Sequence, residues 1–242
     1  MALHFVDDGA ARAQPGDAVE LTGSEAHHAA SVRRVRPGES VTLTDGRGVW
    51  LSGTVADAQK TRVEITVSQR RDIPAPSPRI FLAQALAKGD RDELAVQAAT
   101  ELGIDGIIPW QATRSVSRWQ GPKADKGRSR WQSIVREAAK QALRAWIPEV
   151  EAVHPTSLLA ERATSMRVLI LDPWTEARFT TLETDGRDIL LVVGPEGGIA
   201  PEEISALEAA GAERVKLGDS VLRTSTAGPA ALALLNARVG RW

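Results

Sequence analysis

The sequence predicts an α/β protein whose main domain is a mostly parallel sheet flanked by helices, preceded by a small β domain. Three observations carry this. After residue 78, apolar runs of strand length alternate with helical stretches, the rhythm of βαβ units. One run, Asp188-Ile-Leu-Leu-Val-Val193, is continuously apolar after its first residue, as a parallel strand buried on both faces must be. Before residue 73 the pattern changes to short alternating runs separated by turn signals, of the kind that close into a small barrel.

In chain order, residues 41–44, 49–55 and 62–67 read as strands of the first domain (1–72), with Asp45-Gly46 as a turn signal between the first two. Residues 73–78, Ile-Pro-Ala-Pro-Ser-Pro, form a linker, because three alternating prolines favour an extended connector and forbid a helix. The second domain, 79–242, begins with a strand at 80–86, a helix at 90–102, a strand at 106–109 and a longer helix at 129–144. A strand at 167–171 and a short helix near 177–183 follow, then the strand at 188–193. Pro201 suits a first helical position and Gly211 a stop, which bounds a helix over 201–210. A strand at 214–217 and an Ala/Leu-rich helix over 227–239 complete a sheet of some six strands.

Composition narrows the function classes. The chain has 242 residues, 43% of them hydrophobic, enough for two modest cores. A formal net charge of -1 requires any nucleic-acid partner to be engaged by a local patch. The absence of cysteine excludes disulfides, thiolate zinc sites and a cysteine nucleophile. The four histidines and the scattered acidic residues show no metal-ligand spacing, so no metal is expected. Without a run of about 18 apolar residues or a basic-then-apolar leader, a soluble, cytoplasmic protein is expected.

Two late segments carry chemistry. Gly194-Pro-Glu-Gly-Gly198 follows the buried strand directly, and glycines there let a ligand approach the main chain. Leu217-Gly-Asp-Ser-Val-Leu-Arg-Thr-Ser-Thr-Ala227 places Arg223 and several hydroxyls before the last helix, where free N–H groups favour anionic or polar ligands. Thr224, Ser225 and Thr226 are also N-cap candidates. The loop after the first strand of this domain has neither G-x-G-x-x-G nor a Walker lysine, which argues against an ordinary dinucleotide fold. Ser225 lacks a nucleophile elbow and has no later histidine as its base.

Residues 112–146 carry nine Lys/Arg against Asp125 and Glu137, with Trp119, Trp131 and Trp146 interleaved. Cations with stacking surfaces suit RNA, and Arg33, Arg34 and Arg36 form a smaller basic cluster.

The chain resembles the ribosomal RNA small subunit methyltransferase E family, of the SPOUT superfamily. The resemblance rests on residues 27–38 (HHAASVRRVRPG), Asp45-Gly46, Lys88-Gly-Asp-Arg91, Ala99-Thr-Glu-Leu-Gly103, Arg114-Ser115, Arg130-Trp131, Glu137-Ala-Ala-Lys-Gln141, Arg144, Ile147-Pro148, Gly194–Gly198 and Leu222-Arg-Thr224. It implies an N-terminal PUA-like RNA-binding barrel, a C-terminal trefoil-knot domain, a homodimer, S-adenosylmethionine as methyl donor, and methylation of uracil N3 in 16S rRNA of the small ribosomal subunit. The donor would be held by Leu171, Asp172, Pro173, Gly194, Pro195, Glu196, Gly197, Gly198, Leu217, Gly218, Ser220, Val221, Leu222, Arg223, Thr224 and Thr226. RNA contacts are expected from Arg33, Arg34, Arg36, Arg114, Arg136, Lys140 and Arg144. Ser225 stands where the family often has Glu, and Ala142 where it often has a small hydroxyl residue; each removes a polar group.

Attack by uracil N3 requires loss of its proton and stabilisation of the charge that develops on the ring. Arg223 is the expected stabiliser, and Glu196 or Glu137 the expected base. Two rival readings remain: another knot methyltransferase acting on tRNA or on a 23S rRNA ribose, and a noncatalytic RNA-binding assembly factor.

Overall fold

The computed structural model describes residues 3–242. They form two compact units, the first comprising residues up to Ala75 together with Ala139–Ile147, the second Pro76–Ala138 and Pro148–Trp242.

The first unit is built on a five-stranded sheet of β1 (His4–Val6), β2 (Ala18–Thr22), β3 (Ser40–Thr44), β4 (Val49–Gln59) and β5 (Arg62–Asp72), in the order β1-β3-β4-β5-β2. β1 pairs parallel to β3 and the other neighbours are antiparallel. Burial alternates along β2 and the first half of β4, so Val19, Leu21, Val49, Leu51 and Val55 face one core with Phe5, Leu43 and Ile65. Between β2 and β3, helix α1 (Gly23–His27) continues into a π-helical turn, His28–Arg33, which ends where Arg34 turns left-handed. β1, β2 and this helix are additions to the sequence-predicted elements; β2 is one alternating run of only five residues.

The inclusion of 139–147 in this unit has clear physical causes. Lys140 Nζ donates to Glu25 Oε1 at 3.0 Å with both groups buried. Thr44 Oγ1 and Gly48 N–H both donate to the Ala145 carbonyl at 3.0 Å, and Ile147 N–H donates to the Gly46 carbonyl at 2.9 Å. Gly46 sits at φ +76°, and a Cβ there would lie 2.8 Å from the Ile147 side chain, so the Asp45-Gly46 turn is also the seat of this segment.

The second unit has a six-stranded sheet of β6 (Ile80–Ala85), β7 (Gly106–Trp110), β8 (Glu149–Val150), β9 (Arg167–Leu171), β10 (Ile189–Val193) and β11 (Glu213–Val215). The order is β11-β9-β10-β6-β7-β8, and every pairing is parallel. β10, inserted between β6 and β9, is buried at all five residues, which is why its sequence is apolar without alternation. The helices are α2 (Arg91–Glu101), α3 (Pro122–Gln141, whose last residues join the first unit), α4 (Thr156–Glu161), α5 (Pro201–Ala209) and α6 (Thr224–Arg238). Among the described residues no helix is long and apolar enough to cross a membrane.

Several boundaries differ from the sequence reading. α3 starts at Pro122 rather than 129 and stops at Gln141, because Leu143 adopts φ +54°. α6 starts three residues early, at Thr224, and the expected helix near 177–183 is a single 3₁₀ turn, Phe179–Thr181. β8 and α4 were not anticipated, being two and six residues long. α6 lies close on the sheet: a Cβ on Gly228 would stand 3.0 Å from Leu82 and 3.4 Å from Val193. Its far end is tied by Asn236 Nδ2 donating to the Leu102 carbonyl at 2.6 Å.

Candidate functional site

The strand order reverses direction at β6, since β7 and β8 build outward on one side and β10, β9 and β11 on the other. Crevices at the carboxyl ends of such strands are where open α/β sheets bind ligands. The register puts those ends level, with Val193 opposite Gln84 and Val215 opposite Leu171. A cavity of about 820 Å³ opens there, within the range that holds a nucleoside-sized ligand.

The chain leaving β9 supplies Leu171, Asp172, Pro173 and Trp174. Asp172 is buried at 6% exposure and forms an ion pair with Arg214, Oδ2 to Nη2 at 2.6 Å, while its Oδ1 accepts the Trp174 N–H at 3.0 Å. That carboxylate therefore fixes the turn by joining it to β11, and its negative charge is matched within the protein.

The chain leaving β10 supplies the glycine loop. Gly194 is required by packing, since a Cβ would fall 2.6 Å from Ile199 Cγ1; Gly198 is required by its φ of +72° in a turn closed by its N–H to the Pro195 carbonyl, 2.9 Å. Gly197 lies under Arg114, whose Nη1 donates to the Gly197 carbonyl at 3.2 Å. Glu196 Oε1 accepts from Lys88 N–H at 3.2 Å and Arg91 Nη1 at 3.0 Å. Burial alone would raise the pKa of Glu196, but hydrogen bonds from its own N–H, from Lys88 N–H and from Arg91 outweigh it, and the net shift is downward.

The chain leaving β11 supplies Lys216, Leu217, Gly218, Ser220, Val221, Leu222, Arg223 and Thr224. Arg223 is the N-cap residue of α6, is exposed, and its guanidinium has no hydrogen bond or ion pair among the described residues. Thr224 is different. Its hydroxyl donates to the Gly194 carbonyl at 2.8 Å and accepts from Gln84 Nε2 at 2.9 Å, so it ties α6 to the ends of β10 and β6. Around the rim, buried Glu203 accepts from Thr113 N–H (3.0 Å), the Thr156 hydroxyl (2.7 Å) and Ala200 N–H (3.3 Å), which anchors the Arg114 loop to α5.

Of the residues expected to hold a donor, all line this cavity except Thr226, which is exposed on the first turn of α6 between the lining residues Thr224 and Ala227. Arg114, expected at RNA, lines it too. Arg33, Arg34 and Arg36 fall in the first unit, Arg33 half-buried and the other two exposed. Lys140 and Arg144 are in the same unit, and Lys140 is turned inward onto Glu25, a placement that holds 139–147 rather than presenting an ammonium to phosphate. Arg136 is half-buried and Glu137 exposed on α3, both outside the cavity lining. Trp131 does not offer a stacking surface: it is 1% exposed, with Trp119 edge-on against it at 5.1 Å. Missed by the sequence reading were Arg91, Arg214, Ile199 and Trp174 on the cavity wall. Arg91 stood in a quoted motif; nothing local marked the others. No group of three or more His, Cys, Asp or Glu residues that could hold a metal ion occurs among the described residues.

Comparison with known proteins agrees with this geometry. The RNA methyltransferase domain family matches residues 74–236, and the RNA methyltransferase PUA domain family matches residues 21–68. The chain is 42% identical over 233 residues to the Ribosomal RNA small subunit methyltransferase E of Mycobacterium tuberculosis, covering 94% of this chain and 89% of that protein. It is 29% identical to the protein of the same name from Bacillus subtilis, covering 98% and 96%. Among solved structures, a Ribosomal RNA small subunit methyltransferase E from Neisseria gonorrhoeae bound to S-adenosyl methionine superimposes with a TM-score of 0.89 at 28% identity, covering 98% of each chain.

Proposed function

The chain belongs to the ribosomal RNA small subunit methyltransferase E family, and from that premise we propose that it transfers a methyl group from S-adenosylmethionine to N3 of one uracil in 16S rRNA. The observation that carries the reading is one cavity in which the loops after β9, β10 and β11 meet, lined also by Arg223, whose guanidinium has no partner among the described residues. The residues fit the donor: Gly194, Gly197 and Gly198 leave main chain exposed on one wall, and at Gly218 an added Cβ would meet only open space. Bound there, the donor would supply an electrophilic methyl carbon on sulfur, so the protein itself has only to position the base and manage one proton.

Arg223, which lines the cavity, is the proposed stabiliser of the negative charge that spreads over O2, N3 and O4 as the uracil proton leaves. Glu196 is better suited to holding the glycine loop than to accepting that proton: three hydrogen bonds engage its carboxylate and keep it ionised, which weakens it as a base. Glu137 remains the carboxylate proposed as base. It lies outside this cavity, and in a homodimer, which we also propose, a residue can reach a neighbouring site. The first unit is proposed as a PUA-like barrel that binds RNA through Arg33, Arg34 and Arg36, and the second as a trefoil knot; a cytoplasmic location follows from a ribosomal substrate. The match to a PUA domain favours this reading over a ribose methyltransferase, and the open donor cavity favours it over a noncatalytic factor.

The test is incubation of the protein with labelled S-adenosylmethionine and small ribosomal subunits from cells lacking the gene, followed by nuclease digestion and mass spectrometry. N3-methyluridine in 16S rRNA is the expected product. A label on ribose, or on another RNA only, would overturn the assignment.

A further inference from the structure

Two large apolar side chains with high exposure stand on the wall of the donor cavity, Trp174 at 80% and Val221 at 66%, and Leu222, on the same wall, is 38% exposed. Single exposed apolar residues are ordinary on protein surfaces, whereas several gathered on one concavity mark a binding surface. The backbone under Trp174 is held: its N–H is bonded to Asp172, and Asp172 is locked to Arg214. The other internal tryptophans have settled partners. Trp110 and Trp131 are buried, Trp50 stacks on His4 with ring centroids 4.6 Å apart, Trp119 packs on Trp131, and Trp146 donates to the Ile73 carbonyl. Trp174 alone among these presents its indole to solvent at the mouth of a site. Arg223, exposed and without a side-chain hydrogen bond or ion pair among the described residues, and Arg114 line the same cavity and supply positive charge to it.

We infer that Trp174 is a stacking platform for an unpaired nucleobase of the RNA substrate as it enters the site. This rests on the reading of the cavity as an RNA methyltransferase site. A flat aromatic face in one cavity with guanidinium groups is the chemistry that takes a base splayed from its strand, with the phosphates drawn to the cations. The exposure of the indole places it outward on the wall, where it meets the incoming base; a donor-binding group would be expected deeper, beside the buried strand ends.

The test compares the wild-type protein with Trp174→Ala and Trp174→Phe in three measurements: RNA affinity by filter binding to small-subunit rRNA, KM and kcat for methyl transfer at saturating donor, and donor affinity by calorimetry. Trp174→Ala is expected to weaken RNA binding and raise the RNA KM about tenfold, with donor affinity unchanged, and Trp174→Phe to restore most of the loss. Unchanged RNA affinity and KM in Trp174→Ala would overturn the inference. So would a parallel loss of donor affinity, which would make the indole a wall for the donor, or a loss confined to dimerisation on sedimentation, which would make it an intersubunit contact. If the wild-type protein binds rRNA but transfers no methyl group, the functional reading fails, and a drop in RNA affinity in Trp174→Ala still supports the platform.

Discussion

At the scale of single residues, free and engaged groups in the cavity divide the labour. The Arg223 guanidinium has no partner among the described residues, so its charge is available to a ligand, whereas Asp172, Glu196 and Thr224 are each committed to holding a strand end. Arg223→Ala is expected to lower the rate of methyl transfer by about 10²–10³ while leaving donor affinity within a few-fold, as read by calorimetry alongside single-turnover kinetics; equal loss of both would make it a donor-binding residue. His4 offers a stability test in the other unit. Burial pushes its pKa down from 6.5 to about 4, partly offset by a hydrogen bond with the Arg144 backbone. Because the folded pKa lies below the unfolded one, the unfolded chain binds the proton first; the neutral imidazole's contribution is complete above pH 6.5 and is lost as pH falls toward 4. That loss is on the order of 3 kcal/mol, and urea titrations at pH 7.5 and pH 4.5 should show a smaller drop for His4→Gln than for the wild type. Two residue-level features were invisible in sequence. Gln84 sits in a buried strand and reads as a misplaced polar residue until Thr224, distant in the chain, accepts its amide proton. Trp174 and Trp131 look alike in sequence, yet one is exposed and the other is core.

At the scale of elements, hydrophobic pattern located most of the second unit's strands, because strands buried on both faces have no other composition open to them. The glycine turn after β10 was also legible, since close approach to Ile199 and a positive φ each admit glycine alone. Short pieces escaped: β8 has two residues, and α4 has six and no capping side chain. Periodicity needs more length than that to register. The last turn of α3 and the residues after it were expected to be basic helix facing RNA, and instead 139–147 folds into the first unit, with Lys140 buried against Glu25. Removing one member of a buried ion pair is far more damaging than replacing both. Lys140→Ala is therefore expected to destabilise the protein by on the order of 3 kcal/mol, and Lys140→Met combined with Glu25→Leu by clearly less, measured as shifts in the urea midpoint.

At the scale of the whole molecule, an overall charge of -1 and a local run of cations make RNA binding a property of particular surfaces rather than of the chain as a whole. The proposed homodimer carries its own prediction. Sedimentation equilibrium is expected to give twice the 26.0 kDa chain mass, and mixing Arg223→Ala with Glu137→Gln chains should restore part of the activity if each site draws on both protomers. A monomer that is fully active would remove Glu137 from the mechanism, because it lies outside the cavity of its own chain.

Sequence was enough for the fold class, the order of the main elements and the two late loops, because burial on both faces and tight main-chain turns each permit few residue types. The resemblance to a family then supplied the donor and the reaction. Pairings between distant residues were beyond it: Thr224 with Gln84, Asp172 with Arg214, Lys140 with Glu25. In each case the side chain's role is set by what the fold brings beside it, and local composition does not encode the identity of a partner tens of residues away.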